Sequence, residues 1–350
     1  MFYQNFVKPL LFLKDAEAAH EAGVRLSNLA SNSAFFSSLS KLLYNSSNKG
    51  LEQNIFGLHF PNPVGLAAGF DKNGVSPRAM QALGFGFVEV GSITAKPSKG
   101  NPKPRAFRLP ADDSLINRMG LNNEGADAII SRLKNLNVDI PLGINIAKTN
   151  DIHIHGDAAV QDYLYSYECA QEVADYITVN ISCPNTGEGK TFEDPDALRE
   201  LLNALQISKK GRVPTLIKFS VDTDKTTLET LVEICEENGV SGYLATNTSS
   251  NRNGLKSSDS TINAIGNGGL SGKAIAQKST EIVGWLHNMV GQTKPIIGVG
   301  GIDSVEEAIK KMEAGARLIQ VYTGLIYQGP GLVKTIKTGL KEWDFPISEF

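Results

Sequence analysis

The sequence has few cysteines, no long apolar run and almost no charge imbalance. Cys169, Cys183 and Cys235 are an odd number without metal-site spacing, which excludes a disulfide framework and favours a reducing compartment. No apolar segment reaches the ~18 residues that a membrane span requires. The net charge of −3 gives no electrostatic reason to bind nucleic acid. We therefore predict neither a metal ion nor nucleic acid as a partner.

Two kinds of motif are also absent. There is no Gly-x-x-x-x-Gly-Lys-Ser/Thr run, which disfavours a nucleoside triphosphate site of the P-loop type. The aromatic start lacks the charged segment and small-residue cleavage site of a signal peptide, and it is too poor in arginine for a transit peptide. We expect a protein of the cytosol, or one attached to the membrane from that side.

Residues 1–50 differ in sequence pattern from the rest of the chain. Aromatic and leucine residues cluster before Asp15, residues 16–29 have the pattern of a helix capped by Asp15, and apolar residues recur at helical spacing over 35–43. Two or three short amphipathic helices are predicted. They would form either a small cap packed on the main domain or a patch that enters the lipid headgroup region and guards an apolar tunnel.

From residue 51 to residue 350, apolar runs typical of strands alternate with helical patterns. The strands are predicted at 64–68, 87–91, 142–147, 176–181, 215–219, 242–246, 296–300 and 318–322, and the helices at about 74–83, 122–136, 158–174, 194–208, 224–238, 273–290, 303–314 and 330–342. Eight strands, each followed by a helix, predict a (β/α)8 TIM barrel of class α/β with its active site at the C-terminal ends of the strands. Residues 1–50 are then a small N-terminal helical extension.

Polar and small residues stop several of these strands, and the most unusual group is residues 180–186. Cys183 lies there between two amides, those of Asn180 and Asn185, on a loop that proline interrupts. A thiol near pKa 8.5 can act as a base at neutral pH after a modest downward shift. The alternative is an inert buried thiol, the usual state of a cysteine.

Glycine-rich stretches near the end of the chain predict a phosphate site. Residues 268–272, 296–302 and 314–324 each bring glycine to a strand end or a helix start, and in barrels the loops after strands 7 and 8 bind phosphate. Lys72 and Lys218 close two other strands, where a cation would stabilise a reduced flavin. The amides of four asparagines match a small planar heterocycle, and these are Asn117, Asn180, Asn185 and Asn247.

Seven motifs, at residues 62–74, 84–94, 116–122, 143–146, 180–186, 245–248 and 297–302, resemble the dihydroorotate dehydrogenases, flavin enzymes of pyrimidine synthesis. The resemblance covers essentially the whole chain. Residues 1–50 and 102–109 are similar to class 2, whose membrane-associated members pass electrons to a quinone. The resemblance implies FMN as the cofactor, dihydroorotate and orotate as substrate and product, a quinone as electron acceptor, and a peripheral position on the cytoplasmic side of the cell membrane, held there by the N-terminal helices.

The same resemblance implies a role for individual residues. Cys183 would be the base that removes the C5 proton of dihydroorotate while hydride leaves C6 for the flavin. The expected FMN contacts are Ala68, Gly69, Lys72, Ser92, Asn145, Asn180, Lys218, Thr246, Gly272, Gly301, Tyr322 and Thr323. The expected substrate contacts are Lys72, Asn117, Arg118, Met119, Gly120, Leu121, Asn180, Asn185, Asn247 and Thr248. The expected residues of the quinone tunnel are His20, Arg108 and Tyr322.

Two residues depart from the class 2 pattern. Class 2 members carry serine at the base position, whereas Cys183 matches class 1, whose soluble members use fumarate or a partner subunit. Leu121 stands where phenylalanine is frequent. Three alternatives follow: the same oxidation with a soluble acceptor such as fumarate, a flavin barrel acting on another dihydropyrimidine, and a catalytically silent phosphate-binding barrel.

Overall fold

A computed structural model describes residues 2–31, 33–44, 49–182 and 192–343. The strands are β1 (Gln53–Ile55), β2 (Leu58–Phe60), β3 (Val64–Leu66), β4 (Phe87–Ile93), β5 (Ala106–Leu109), β6 (Ser114–Asn117), β7 (Leu142–Ile146), β8 (Tyr176–Asn180), β9 (Thr215–Phe219), β10 (Gly242–Ala245), β11 (Gly269–Gly272), β12 (Ile296–Val299) and β13 (Leu318–Val321). The helices are α1 (Lys8–Phe12), α2 (Ala16–Ser31), α3 (Ala34–Tyr44), α4 (Pro77–Ala82), α5 (Ala126–Leu133), α6 (Asp157–Ala170), α7 (Pro195–Leu205), α8 (Lys225–Glu237), α9 (Asp259–Ile265), α10 (Ala276–Val290), α11 (Val305–Glu313), α12 (Thr323–Gln328) and α13 (Leu332–Glu342).

The eight strands β3, β4, β7, β8, β9, β10, β12 and β13 form a closed parallel barrel in chain order. All eight coincide with predicted strands, and a helix lies between each strand and the next, so the (β/α)8 prediction is confirmed. The predicted helices are also present, although most are shorter than their sequence patterns, and side-chain caps define where several of them begin. Asp194 and Asp224, for example, accept the backbone N–H of Ala197 and Thr227 at the starts of α7 and α8.

Alternate residues of each barrel strand face inward, as the period of a strand requires. The inward residues near the strand starts form an apolar cluster that includes Phe87, Leu216 and Leu318, whereas the outward residues pack under the helices. Gly65 provides the space for one of the rings, because a Cβ there would overlap the ring of Phe87. The barrel interior is therefore filled by side chains at its N-terminal end.

Two small sheets were not predicted from the sequence. The hairpin β1–β2 places Ile55 and Phe60, both fully buried, in the apolar cluster of the barrel interior and so closes the N-terminal end. The other is an antiparallel sheet in the order β11–β6–β5, in which β11 and β6 pair residues more than 150 positions apart. It carries Asn117 and Gly272 beside the C-terminal end of the barrel.

The N-terminal extension consists of a π-helical segment, Tyr3–Val7, followed by α1, α2 and α3. Asp15 caps α2, as predicted, by accepting the backbone N–H of Ala18 at 2.9 Å. Among the described residues, no helix combines the length and the hydropathy that crossing a bilayer requires. Nevertheless, much of the extension's apolar surface is exposed, at Phe2, Phe6, Leu10, Leu13, Leu26, Leu29, Leu39, Leu42 and Leu43.

A buried ion pair attaches α2 to the barrel. The guanidinium of Arg105 donates from Nη2 to Oε1 of Glu17 at 2.7 Å and from Nε to both carboxylate oxygens at 3.1 Å, and both residues are at most 5% exposed. Arg105 also donates to the backbone carbonyls of Lys99 and Asn101. Burial alone would raise the pKa of Glu17, but the hydrogen bonds and charges of Arg105 and Lys103 outweigh it and lower that pKa.

We expect Glu17→Gln to lower the free energy of unfolding by about 3 kcal/mol, because it leaves the charge of Arg105 buried without its partner. Chemical denaturation measures this difference. The pKa of Glu17 is lower in the folded state, so the stabilisation is complete above the ordinary glutamate pKa and disappears as the pH falls through the folded value.

Glu21→Gln is the matched control on the same helix. Glu21 is partly exposed and lies 3.4 Å from Lys103 and 3.7 Å from Arg25, so its loss should cost less than about 1 kcal/mol. Equal losses from the two variants would show that the Glu17–Arg105 pair does not hold the extension in place.

Candidate active site

A cavity of about 460 Å³ lies at the C-terminal end of the barrel, between the strand ends and the extension. Residues after β3, β10, β12 and β13 line one side, the β5–β6–β11 sheet lines another, and α1 and α2 cover it. The cavity thus joins the strand ends, where barrel enzymes carry their chemistry, to the N-terminal helices.

Most of the residues predicted to bind a ligand line this cavity. Those that do so are His20, Ala68, Gly69, Lys72, Ser92, Arg108, Asn117, Met119, Gly120, Leu121, Asn180, Lys218, Thr246, Asn247, Thr248, Gly272, Gly301, Tyr322 and Thr323. Arg118 does not line it, since its guanidinium donates to the carbonyls of Ile265 and Asn267. Cys183 and Asn185 lie outside the described residues, so their roles stay predictions.

A network of amides and hydroxyls forms the floor of the cavity. Ser92 Oγ donates to Asn145 Oδ1 at 2.5 Å and accepts from Asn180 Nδ2 at 3.3 Å. Asn247 Nδ2 in turn donates to Asn180 Oδ1 at 3.2 Å and to Ser182 Oγ at 3.1 Å. Asn145 is fully buried just below the lining and reaches the cavity through Ser92. The network holds several amide groups in fixed positions around one space.

The three glycine-rich stretches meet at one side of the cavity. A Cβ on Gly301 would overlap Ala276, the first residue of α10, and one on Gly272 would lie 2.8 Å from the methyl group of Thr323, the first residue of α12. Both glycines have positive φ, at +75° and +97°. Close-packed glycine backbone beside the N-terminus of the 15-residue helix α10 is the arrangement that binds phosphate.

Two buried polar atoms in the cavity wall have no hydrogen-bond partner among the described residues. They are Thr246 Oγ1 and Gln320 Oε1. A buried polar atom left unpaired costs about 1–3 kcal/mol, so each indicates a ligand that would supply the missing partner. Together with the glycine stretches, they fit a polar, phosphate-bearing cofactor of the kind that the sequence predicts.

Two titratable side chains that line the cavity, Lys72 and His20, have lowered pKa values. Burial, and next the charge of Arg105, lowers the pKa of Lys72 to about 8, so Lys72 is largely a cation at neutral pH. Burial, followed by the charge of Lys72, lowers the pKa of His20 to about 4, so His20 is neutral. Lys72 therefore contributes a positive charge to the cavity that suits an anionic ligand.

On the side of the extension the cavity is aromatic. The ring of His20 lies 4.8 Å from that of Phe70 and 6.0 Å from that of Tyr322, and its Nε2 donates to the carbonyl oxygen of Phe70 at 2.8 Å. Arg108 stacks on Phe12 at 4.6 Å and donates to the carbonyl of Lys14. The wall on this side is formed by α1 and α2 together with β5 and the residue after β13, and it includes the three predicted tunnel residues, His20, Arg108 and Tyr322.

The chain is similar to known proteins along almost its entire length. The family model described as Dihydroorotate dehydrogenase matches residues 50–343. The chain belongs to the dihydroorotate dehydrogenase family. A protein from Christiangramia forsetii named dihydroorotate dehydrogenase (quinone) is 42% identical over 97% of this chain and 99% of its own length, and one of the same name from Salinispora arenicola is 44% identical over 95% and 97%.

The fold agrees with that of solved members of the dihydroorotate dehydrogenase family. The crystal structure of the Eimeria tenella enzyme in complex with ferulenol is 33% identical, covers 94% of this chain and 91% of its own, and superposes with a TM-score of 0.83. Since the family model begins at residue 50, these longer alignments also bring the extension into the comparison.

Three residues of this dihydroorotate dehydrogenase site were not singled out from the sequence. Glu89 is a fully buried carboxylate beneath Asn145, Gln320 presents an unpaired oxygen to the cavity, and Ser182 contacts Asn247. A charged residue within the apolar run 87–91 was the available signal for Glu89. Gln320 is likewise a polar residue within the apolar run 318–322, and Ser182 lies in the strand-end stretch 180–186. Their contacts with Glu89 and Asn247, on other strands, are not visible in the local pattern.

We expect Gly301→Ala to reduce bound cofactor at least about tenfold, because the methyl group would overlap Ala276 and the residue would retain an unfavourable positive φ. The visible absorbance of the purified protein, relative to its protein absorbance, measures the bound flavin. Gly284→Ala in α10 is the control, since nothing lies within 4 Å of the added methyl group. Full flavin content in Gly301→Ala would show that these glycines do not form the phosphate site.

Proposed function

We propose that this protein oxidises dihydroorotate to orotate in pyrimidine biosynthesis, using FMN, and passes the electrons to a quinone. The observation that carries this proposal is the continuity of the cavity, which joins an amide-rich pocket at the strand ends to an apolar wall on the side of the extension. The relatives named dihydroorotate dehydrogenase (quinone) support both halves of the reaction.

The residues present fit the cofactor and the substrate. Gly272, Gly301 and Thr323 would hold the FMN phosphate at the start of α10, and Thr246 and Lys218 would contact the rest of the cofactor. When bound, FMN accepts hydride from C6 of dihydroorotate and delivers electrons to the quinone. Lys72 would pair with the carboxylate of the substrate, since it lines the cavity and is largely a cation at neutral pH.

Asparagines would orient the substrate ring and its developing charge. Asn117, Asn180 and Asn247 line the same cavity, and each amide can both donate and accept. Hydrogen bonds to the C4 carbonyl would make the neighbouring C5 proton more acidic, because they stabilise the charge that forms there. Cys183 would accept this proton as the general base. The preceding residue, Ser182, accepts hydrogen bonds from Asn247, which supports this role.

Residues 1–50 would form the quinone tunnel and the membrane-binding surface, with residues 51–350 forming the FMN-binding barrel. The exposed leucines and phenylalanines of the extension provide an apolar surface that suits the headgroup region of a bilayer. His20, Arg108 and Tyr322 would contact the quinone between that surface and the flavin. The protein would be a peripheral protein on the cytoplasmic side of the cell membrane.

Anaerobic addition of dihydroorotate should bleach the visible absorbance of the oxidised protein, with one orotate formed for each flavin reduced. Spectrophotometric titration and quantification of orotate measure the two quantities. An unchanged spectrum in protein that contains FMN would rule out this substrate and favour a barrel acting on another dihydropyrimidine.

The acceptor is tested with the same reduced protein. A quinone incorporated in lipid vesicles should restore the absorbance, and the protein should sediment with those vesicles, whereas fumarate should leave it reduced. Reoxidation by fumarate alone would overturn the quinone assignment and leave the dihydroorotate assignment intact.

We expect Cys183→Ala to slow flavin reduction at least about a hundredfold while FMN remains bound, because the substrate would lose its base. Cys183→Ser should retain measurable activity shifted to higher pH, since a hydroxyl is a weaker acid than a thiol. Stopped-flow bleaching over a range of pH measures both. Cys169→Ala, a partly exposed cysteine on α6, is the control, and a full-rate Cys183→Ala variant would refute the role of Cys183.

A further inference from the structure

Glu89 lies inside the barrel, fully buried, directly under the cavity. Its Oε1 accepts from Asn145 Nδ2 at 2.8 Å. Its Oε2 accepts from Gln320 Nε2 at 2.8 Å, Thr178 Oγ1 at 3.1 Å and the Tyr176 hydroxyl at 3.2 Å. We propose that Glu89 is a positioning residue of the site, which fixes the orientation of the asparagine side chains that contact the ligands. This inference rests on the proposed function for the identity of those ligands.

A continuous chain of hydrogen bonds leads from Glu89 to the cavity. Asn145 donates to Glu89 and accepts from Ser92 Oγ, which in turn accepts from Asn180 Nδ2 at 3.3 Å. Asn180 Oδ1 then accepts from Asn247 Nδ2 at 3.2 Å. These residues lie in, or directly after, four strands: β4, β7, β8 and β10. The series of hydrogen bonds therefore crosses the barrel interior instead of following one strand.

The carboxylate determines the direction of this chain. An asparagine amide is nearly symmetric in shape, but one end donates and the other accepts. A carboxylate only accepts, so Asn145 must turn its NH₂ group toward Glu89 and its oxygen toward Ser92. The Ser92 hydroxyl then donates its proton to Asn145 and can only accept from Asn180. Asn180 must therefore turn its NH₂ group toward Ser92. The oxygen of Asn180 is thereby left to face Asn247.

Orientation matters because the cavity recognises a planar ring by the placement of donors and acceptors. Asn180 and Asn247 line the cavity, and the second N–H of Asn180 is not used in the chain. A reversed amide would present an oxygen where the ligand meets an N–H, and a donor left without its partner loses more than the hydrogen bond itself. Glu89 would thus act on ligand affinity without touching the ligand.

Glu89→Gln tests the proposal because it preserves shape and removes the acceptor-only character. The Kd of orotate should rise about tenfold, as expected when one hydrogen bond to the ligand is lost or mismatched. The perturbation of the flavin spectrum on orotate titration measures this Kd in protein saturated with FMN. The FMN content and the melting temperature of each variant are measured alongside, so that loss of cofactor or of fold is distinguished from mispositioning.

Tyr176→Phe is the matched control. It removes one donor from the same carboxylate but leaves the contact between Glu89 and Asn145 intact, so the Kd of orotate should stay within about twofold of the original. If Tyr176→Phe weakens orotate binding as much as Glu89→Gln does, the effect belongs to the buried polar layer as a whole and the proposal is wrong.

A second variant, Asn145→Ala, breaks the same series of hydrogen bonds and leaves the charge of Glu89 in place. The Kd of orotate should rise as much as in Glu89→Gln, because the Ser92 hydroxyl loses the acceptor that fixes its direction. This variant decides the matter if Glu89→Gln alone does not fold. Unchanged orotate affinity in the folded Asn145→Ala variant would overturn the proposal.

The outcomes also separate this proposal from the function on which it rests. Failure of the unmodified, FMN-containing protein to bind orotate and to be reduced by dihydroorotate would refute the proposed function. Normal reduction of that protein combined with unchanged orotate affinity in Glu89→Gln would refute only the role of Glu89.

Discussion

Closure of the parallel barrel is the constraint on which the rest of this structure depends. A closed barrel has one interior, and every second residue of eight strands must share it. In this chain the lower part of that interior is apolar, with Phe87, Leu216 and Leu318 packed over the β1–β2 hairpin. The upper part is polar, with Glu89 and Asn145 beneath the cavity. Packing and chemistry thus occupy opposite ends of one narrow space.

The extension solves a second problem, which is how to cover a polar cavity with apolar helices. The extension exposes leucine and phenylalanine outward, yet the contact of α2 with the barrel includes a buried ion pair between Glu17 and Arg105. Such a pair offers little net stability compared with apolar packing, but it requires one specific geometry. Because Arg105 also binds the carbonyls of Lys99 and Asn101, the segment beside the amide pocket and the helix over the aromatic wall share one anchor.

The sequence predicts the barrel well and the details of the cavity less well. Its eight strands are apolar runs bounded by turns, and local pattern is sufficient to find them. The β5–β6–β11 sheet depends on pairing between Leu115 and Ser271, which no local pattern records. Arginines illustrate the limit: Arg118 was predicted to contact the substrate but binds backbone carbonyls, whereas Arg105, three residues from Arg108, is the one paired with Glu17. Which way each arginine points depends on partners far along the chain.

Tyr176 belongs to both halves of the barrel interior. Its ring packs among the apolar residues at the closed end, and Gly143 on the neighbouring strand is required to make room for it. Its hydroxyl lies in the polar half, against Glu89. The N-terminal end of a TIM barrel generally serves stability, because the chemistry lies at the C-terminal end. In this protein, any repacking of the apolar end would also move the Tyr176 hydroxyl. The apolar end therefore cannot be redesigned for stability independently of the polar half of the interior.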